Sequence, residues 1–486
     1  MLTLVKAIIM PQILFACSTW WITNGVQGRK SHRKKMIQVL NSLQKRALCA
    51  ATGAFRSTAA AVLEAETDTL PIEVQLDRTA MITANRIHAS PLFQYMKIHR
   101  HRGVITNSHS RLSPLQELEG KIQRIVGREG YSKLEKQIPI VAEPWWSPPH
   151  IRIAPDAETA IKEHDELCAT PGFVHMKVYT DGSDIDGRVG AAAWEPNRKW
   201  QCQADIGGSD QFTVYAAELT GIWMALHMAL KGRTVKSVTI FTDNQAYILS
   251  SAKPRHQSGQ FMLRKIHHLV AILERKQCKV TIRWIPAHVG VPGNEAADIL
   301  AKQATGWRDR KSTEPVDTSG IQKMSWMPQL LSSCKRLINQ NARRLWGRMW
   351  SNGETGMQYK KRWQDKDMNL DRHINKLYLN LHKAESSVLI QMRTEKIGLY
   401  GYLSRIKRAD DPWCGCRQAY QSVRHIIEEC ECLMDIRKDY LGSEVVQDAR
   451  IFLRDPKLIH RTVSFMLATG LLDQFASYTK TISPLL

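Results

Sequence analysis

Between residues 176 and 304 the hydrophobic positions alternate between two kinds of run. Short stretches rich in β-branched and aromatic residues predict strands over 176–180, 189–194, 200–205, 237–241 and 279–284. Between them, apolar residues at helical spacing predict helices over 214–230, 244–251, 260–275 and 292–304. Three strands, a helix, a strand, two helices, a strand and a helix describe an α/β domain built on a mixed five-stranded sheet with flanking helices. N-terminal to it the pattern is helical throughout. Met36, Ile37, Leu40, Leu43, Ala47 and Leu48 line one helix that stops at Gly53, and further helices are expected near 57–66 and over 72–88.

In the N-terminal stretch 1–22, the apolar run that follows Lys6, from Ala7 to Ile22, is broken by Pro11, Gln12, Ser18 and Thr19 and is short for a membrane span, so it reads as a buried helix rather than a leader or anchor. Residues 28–35, Gly-Arg-Lys-Ser-His-Arg-Lys-Lys, form a basic run expected on a loop, either solvated, touching phosphate or serving as a nuclear import signal. Around Pro144, Pro148 and Pro149 the proline density marks a linker and a domain boundary. Trp145 and Trp146 within it could stack on bases or pack on a neighbouring domain. Beyond residue 306 the chain turns basic and tryptophan-rich, with helical spacing through Leu337, Asn341, Leu345 and Arg348, and reads as amphipathic helices with one basic face, a stacking surface for nucleic acid being the other reading. These shifts divide the chain into 1–137 (helical), 138–174 (Pro-rich linker), 175–305 (α/β domain), 306–400 (basic, Trp-rich, helical), 401–440 (a cysteine cluster) and 441–486 (helical tail).

Charge changes the picture from a globular chain to one with an anionic partner. Lys and Arg number 68 against 46 Asp and Glu, a net charge of +22. Residues 176–303 hold 16 basic and 11 acidic residues, or +5, so 22 − 5 leaves +17 in the flanks. Nucleic acid is the expected partner and the flanks its gripping parts; no membrane partner is expected. Six of the ten cysteines stand alone in the sequence, which is no disulfide framework and fits an intracellular compartment, nucleus or cytoplasm.

The α/β domain offers four carboxylates from separate elements. Asp181 is expected at the end of the first strand before a tight Asp-Gly-Ser turn, and Glu218 in the first helix among small and apolar neighbours. Asp243 follows the fourth strand, and Asp298 lies in the opening turns of the last helix. Magnesium takes hard oxygen ligands, and two ions held by carboxylates can clamp an in-line phosphoryl displacement. Each residue also has a structural reading: Asp181 as a turn residue, Asp243–Asn244 as a helix cap. Glu295 is adequately explained by its place at a helix start. His288, on the Gly- and Pro-rich loop before the last helix, could move protons near neutral pH.

The stretches Tyr179-Thr-Asp-Gly-Ser183, Ala217-Glu-Leu219, Phe241-Thr-Asp-Asn244 and Trp284-Ile-Pro-Ala-His-Val-Gly290, followed by Gly293-Asn-Glu-Ala-Ala-Asp298, resemble the motifs of type 1 ribonuclease H, in order. The resemblance implies a ribonuclease H-like fold, two Mg2+ ions for which Mn2+ substitutes, and endonucleolytic cutting of the RNA strand of RNA–DNA hybrids. It makes Asp181, Glu218, Asp243 and Asp298 the metal-binding catalytic residues and His288 an auxiliary. Gly182 would allow backbone approach to RNA, and Asn244 would donate to a base or sugar edge. The basic protrusion of some members is reduced here to Lys253 and Arg255 within 251–260.

Cys414, Cys416, His425 and Cys430 form Cys-x-Cys, eight residues, His, four residues, Cys, a closed ligand set for Zn2+, with Cys432 an alternative to Cys430. The His-x4-Cys ending resembles a retroviral-type zinc knuckle, although the first spacing differs from Cys-x2-Cys. Cysteines packed in a helical subdomain are the other reading. Residues 4–21, 43–48 and 53–72 resemble the region after the polymerase core in reverse transcriptases of non-LTR retrotransposons, yet no Tyr-x-Asp-Asp motif occurs, so this part is expected to be a thumb-like remnant. The resemblances together imply a C-terminal fragment of a retrotransposon polyprotein. It is either an active hybrid ribonuclease or a catalytically inactive nucleic-acid-binding remnant.

Overall fold

The structure is a computed structural model that describes residues 2–21, 30–93, 95, 113–142, 146–169, 174–307, 320–363, 370 and 373–477. The chain falls into two compact units, Met1–Ala80 with Gln340–Leu486, and Met81–Asn339. The principal helices, in chain order, are α1 (Lys30–Thr52), α2 (Ala60–Glu66), α3 (Ile72–Ala89), α4 (Ala157–Ala169), α5 (Val214–Lys231), α6 (Gln245–Ala252), α7 (Gln260–Arg275), α8 (Pro292–Ala304), α9 (Leu331–Asn352), α10 (Lys383–Thr394) and α11 (Val423–Glu428). Both unit boundaries lie inside helices, α3 and α9. The unit Met81–Asn339 takes in the α/β domain expected at 175–305 together with parts of both flanks.

In the unit Met81–Asn339 a seven-stranded mixed sheet has the order β1–β6–β5–β2–β3–β4–β7. Its five central strands are those the sequence predicts: β2 (His175–Ile185), β3 (Arg188–Glu195), β4 (Trp200–Gly208), β5 (Ser237–Thr242) and β6 (Lys279–Trp284). β2, β3 and β4 pair antiparallel, whereas β5 runs parallel to both β2 and β6. Two three-residue edge strands come from the flanks, β1 (His150–Arg152) on β6 and β7 (Ile321–Lys323) on β4. The proline-rich linker is thus not structureless: Pro149 and Pro155 bracket β1 on the sheet edge, where a missing N–H costs no ladder bond, and α4 follows. Trp146 stacks on His267 of α7 at 4.2 Å, the packing alternative of the two readings, whereas Trp145 lies outside the described residues.

β2 also corrects an expectation. It does not turn at Asp181–Gly182–Ser183 but continues to Ile185, pairing Asp181 with Ala192 and Ile185 with Arg188. The reversal comes at Asp186–Gly187, both at positive φ (49° and 77°), the Asp-Gly hairpin signature. α5 and α7 pack on the sheet with Val178, Ile240 and Ile282 in a core that includes Leu219, Ile222, Ile266 and Val270. Glu135 fastens the flanks to this domain: its buried carboxylate accepts from the backbone N–H of Gly259 (2.8 Å) and Leu331 (2.7 Å), at the starts of α7 and α9.

The unit of Met1–Ala80 and Gln340–Leu486 is helical. α1 ends where expected, at Gly53 with φ 74°. Residues 30–35 of the basic run are helical rather than looped, as the opening of α1, and 28–29 lie outside the described residues. The N-terminal run is helical over Leu2–Ile13 and Cys17–Trp20. It is not the buried helix expected: Val5, Met10 and Cys17 are buried, but Leu4, Ile8, Ile9 and Phe15 are exposed, because its apolar residues encircle the axis while one side packs. Leu2–Trp20 is long and apolar enough to cross a membrane. α9 is amphipathic with a basic face, Arg343, Arg344 and Arg348 exposed, but its buried face is Cys334, Ile338, Ala342, Trp346 and Trp350 rather than the stripe through Leu337 and Leu345, of which Leu345 is exposed.

A buried ion pair joins the two chain segments of this unit. Arg393 of α10 donates through Nε to Glu66 Oε1 (2.8 Å) and through Nη1 to the Leu453 carbonyl (2.6 Å). Tyr378 donates to Glu66 Oε2 at 2.5 Å and Tyr359 to Oε1. The Arg393 guanidinium also lies over the Trp363 ring at 4.6 Å, and the indole N–H bonds the Arg393 carbonyl.

Candidate active site

The parallel pairing of β2 with β5 sets Tyr179 opposite Phe241, so Asp181, two residues on, and Asp243, just past β5, come to the same end of the sheet. Glu218 arrives from α5 because residue 182 has no side chain. A Cβ at Gly182 would lie 2.7 Å from both Ala217 Cβ and the Glu218 nitrogen, so the first turns of α5 rest on the strand itself. The glycine thus has a packing role, independent of the nucleic-acid contact proposed from sequence. Gly182→Ala should move Glu218 away from Asp181 and cost about 1–3 kcal/mol, by analogy with overpacked cores. Thermal or denaturant unfolding of the full chain checks it, and a loss within about 0.5 kcal/mol would contradict this packing account.

Asp181, Glu218 and Asp243 each bring a carboxylate oxygen within 4.8 Å of the others'. Asp181 and Glu218 are 7% and 3% exposed, so little water screens them. Burial, and then the charges of Asp243 and Asp298, push the Asp181 carboxyl up to about 8, against the pull of Lys302. Glu218 is raised well above the carboxylate range by burial and then by Asp181 and Asp243. Asp243 is raised more modestly, with burial opposed by the nearby His288. Glu218 Oε2 is buried without a hydrogen-bond partner. An orphaned carboxylate oxygen among raised carboxylates is costly unless a cation completes the site, so the donor set fits divalent metal.

Asp298 stands in a neighbouring group with His288 and Glu295, ligand atoms again within 4.8 Å, and donates no oxygen to the first three. Lys302, one turn on along α8, binds Asp298 Oδ2 at 2.7 Å. α8 is seated close because Gly293 leaves room for Tyr179, whose ring would lie 2.3 Å from a Cβ there. His288 is exposed on the loop before α8 at φ 54°. Glu295 thus has more than the helix-start role its position suggests, and its spacing of three from Asp298, which puts both on one helix face, is the sequence signal for it. Asn244 caps α6, its Oδ1 accepting from the Tyr247 N–H at 3.0 Å, which leaves the Asp243 carboxylate unused as a cap.

In the other unit, Cys414, Cys416, His425 and Cys430 also converge, ligand atoms within 4.8 Å of one another. Cys414 Sγ lies 3.7 Å from Cys430 Sγ, and Cys416 Sγ 3.2 Å from His425 Nε2. A tetrahedral zinc with Zn–S near ~2.3 Å has sulfur–sulfur edges of about 3.8 Å, so this donor set fits Zn2+. His425 is held by Ser422, which caps α11 by accepting from the His425 backbone N–H. Cys432 is exposed and outside the group.

Residues 174–306 match the RNase H family model. Ribonuclease H of Tropheryma whipplei (strain Twist) is 32% identical over 139 residues, which span 26% of this chain and 81% of that protein. Among solved structures, the N-terminal RNase H domain of rv2228c from Mycobacterium tuberculosis is 22% identical, covering 27% of this chain and 94% of that chain, with a TM-score of 0.22. LC11-RNase H1, solved in complex with an RNA/DNA hybrid, is 19% identical, covering 27% and 96%, with a TM-score of 0.23. Through residues 174–306 the chain belongs to the ribonuclease H family.

Proposed function

We propose that the chain is a divalent-metal-dependent, type 1 endoribonuclease that hydrolyses the RNA strand of RNA–DNA hybrids. The observation that carries the reading is the convergence of the buried Asp181 and Glu218 with the partly buried Asp243, the orphaned Glu218 oxygen among them, in a domain of this family. Asp181, Glu218, Asp243 and Asp298 would hold the metal. When bound, two Mg2+ ions, or Mn2+ in their place, supply an activated water and a stabilised leaving oxygen for in-line displacement. Around them, the chain's own residues orient and exclude solvent: α5 and β2 bury Asp181 and Glu218, and Lys302 holds Asp298 in place. His288, exposed at the mouth, passes a proton between product and water. The basic flanks, +17 in sum, hold the hybrid backbone.

The test is incubation of the purified full chain with labelled RNA–DNA hybrid, duplex RNA and duplex DNA in Mg2+. Hybrid-selective, endonucleolytic products support the reading. Tight binding without cleavage overturns it in favour of an inactive nucleic-acid-binding remnant.

Cys414, Cys416, His425 and Cys430 would hold one structural Zn2+, and the Cys/His ending with the reverse-transcriptase-like N-terminal segments supports an origin in a non-LTR retrotransposon polyprotein. Chain purified without chelator should carry about one equivalent of zinc. Cys414→Ser should lose most of it, with earlier melting of the helices around α11, while hybrid cleavage persists. Metal analysis showing no zinc in the unaltered chain would reject this assignment.

A further inference from the structure

We propose that Cys168, with His164, Asp165 and Tyr179, forms a nucleophilic thiolate site that hydroperoxides and other soft electrophiles modify. The residues lie on α4 and β2, and the inference does not rest on the nuclease reading. His164 and Cys168 are one turn apart on α4, so they share a face. His164 Nε2 lies 3.4 Å from Cys168 Sγ and 2.8 Å from Tyr179 Oη, while Cys168 Sγ lies 3.6 Å from the same hydroxyl. On the other side of the ring, His164 Nδ1 meets Asp165 Oδ1 at 2.8 Å. This is a nucleophile, a base and a carboxylate that orients the base, with a tyrosine hydroxyl as a second donor to sulfur.

Burial separates the roles. His164 is 6% exposed and sits edge-on to Phe241 at 5.0 Å, so its ring is fixed, whereas Cys168 is exposed and reachable. A cysteine kept only for packing would be buried, as Cys17, Cys278 and Cys334 are, and burial raises those thiols. At Cys168 burial also acts upward, but hydrogen bonds from His164 and Tyr179 and the charges of His164 and Lys177 bring the net below the ordinary thiol range. His164 is raised in turn, first by its bond to Cys168, against burial, with Asp165 adding to the rise. The two shifts favour a thiolate–imidazolium pair.

With a hydroperoxide the step balances. The Cys168 sulfur attacks the terminal oxygen, an S–O bond forms and the O–O bond breaks. The departing alkoxide takes the proton from His164 Nε2, leaving sulfenic acid, an alcohol and neutral histidine. The thiolate is oxidised by two electrons and the peroxide reduced by two.

The experiment is site-resolved alkylation of the full chain by iodoacetamide, followed by mass spectrometry between pH 5.5 and 9.5. Cys168 should react with a midpoint below the ordinary thiol value of ~8.5, and His164→Gln should return it toward that value. At pH 6.5 the same variant should slow alkylation by about three- to tenfold, since the gain in thiolate is partly offset by lower nucleophilicity. If His164→Gln fails to fold, Tyr179→Phe, which keeps the ring, should shift the midpoint in the same direction by less. With tert-butyl hydroperoxide and a dimedone trap, Cys168 should be labelled ahead of the exposed Cys432. An ordinary midpoint in the unaltered chain, or labelling that follows exposure alone, overturns the proposal.

Discussion

Asp181→Asn should abolish hybrid cleavage, by at least about 10²–10³-fold on the scale of removing one preorganised transition-state contact, and should also change how the metal-free protein melts with pH. Asp181 lies among Glu218, Asp243 and Asp298, and its carboxyl is raised to about 8 by burial and then by the charges of Asp243 and Asp298. The folded value exceeds the unfolded one, near ~3.9, so the folded state holds the extra proton between them. Its contribution to stability is full below the unfolded value and is lost as pH rises through about 8. Metal-free chain should therefore melt progressively earlier from pH 5 to pH 9. Asparagine keeps the shape without the charge, so the variant should show a flatter profile. Mg2+ should raise the melting temperature of the unaltered chain most at the alkaline end, where protons no longer compete. Retained cleavage in the variant would remove Asp181 from the catalytic set. A metal-free melting temperature independent of pH would remove the clustered-carboxylate account of the site.

Glu66→Gln should destabilise the unit of Met1–Ala80 and Gln340–Leu486 by about 3–5 kcal/mol, because it leaves the Arg393 guanidinium buried beside a neutral partner. Glu66 and Arg393 are 1% and 3% exposed, so solvent cannot compensate the charge. Tyr359 and Tyr378 would also lose a charged acceptor. The double replacement Glu66→Met with Arg393→Met should cost less than the single change, since no charge is stranded. Denaturant unfolding with hydrogen exchange locates the loss: amides of α2 and α10 should exchange faster, whereas those of β2 and β5 should not. A single-variant loss under about 1 kcal/mol, or a uniform change in exchange, would refute a central role for the pair.

The parts of this molecule most legible in sequence are those whose signals are local. Helices α7 and α8 and strand β6 run where the apolar period places them, and Gly53 ends α1 as read. Misreadings arose where two local signals competed. Asp181-Gly182-Ser183 looks like a turn, yet a true Asp-Gly turn five residues later takes the hairpin, and Gly182 serves helix packing instead. All four carboxylates stand out in the sequence, but their division into a group of Asp181, Glu218 and Asp243 and a group of Asp298 with His288 and Glu295 depends on how α8 lies across the sheet. Pairings of distant residues left no local trace: Glu66 with Arg393, Glu135 with the starts of α7 and α9, and Cys168 with Tyr179 each join different elements. The N-terminal run shows the opposite failure, an apolar stretch that predicts burial where Leu4, Ile8, Ile9, Phe15 and Trp20 remain exposed.

The joining of Glu66 to Arg393 has a consequence for the order of events on the ribosome. The two lie 393 − 66 = 327 residues apart, and the sheet-bearing unit is translated whole between them. At ~5–20 residues per second, Glu66 emerges roughly 15–65 s before its cation. During that interval the ribonuclease H domain can complete its sheet, whereas α1 and α2 carry an unmatched carboxylate and open apolar faces. Nascent chains stalled after residue 339 should therefore display a protease-resistant ribonuclease H domain together with an N-terminal segment that chaperones hold and proteases cut.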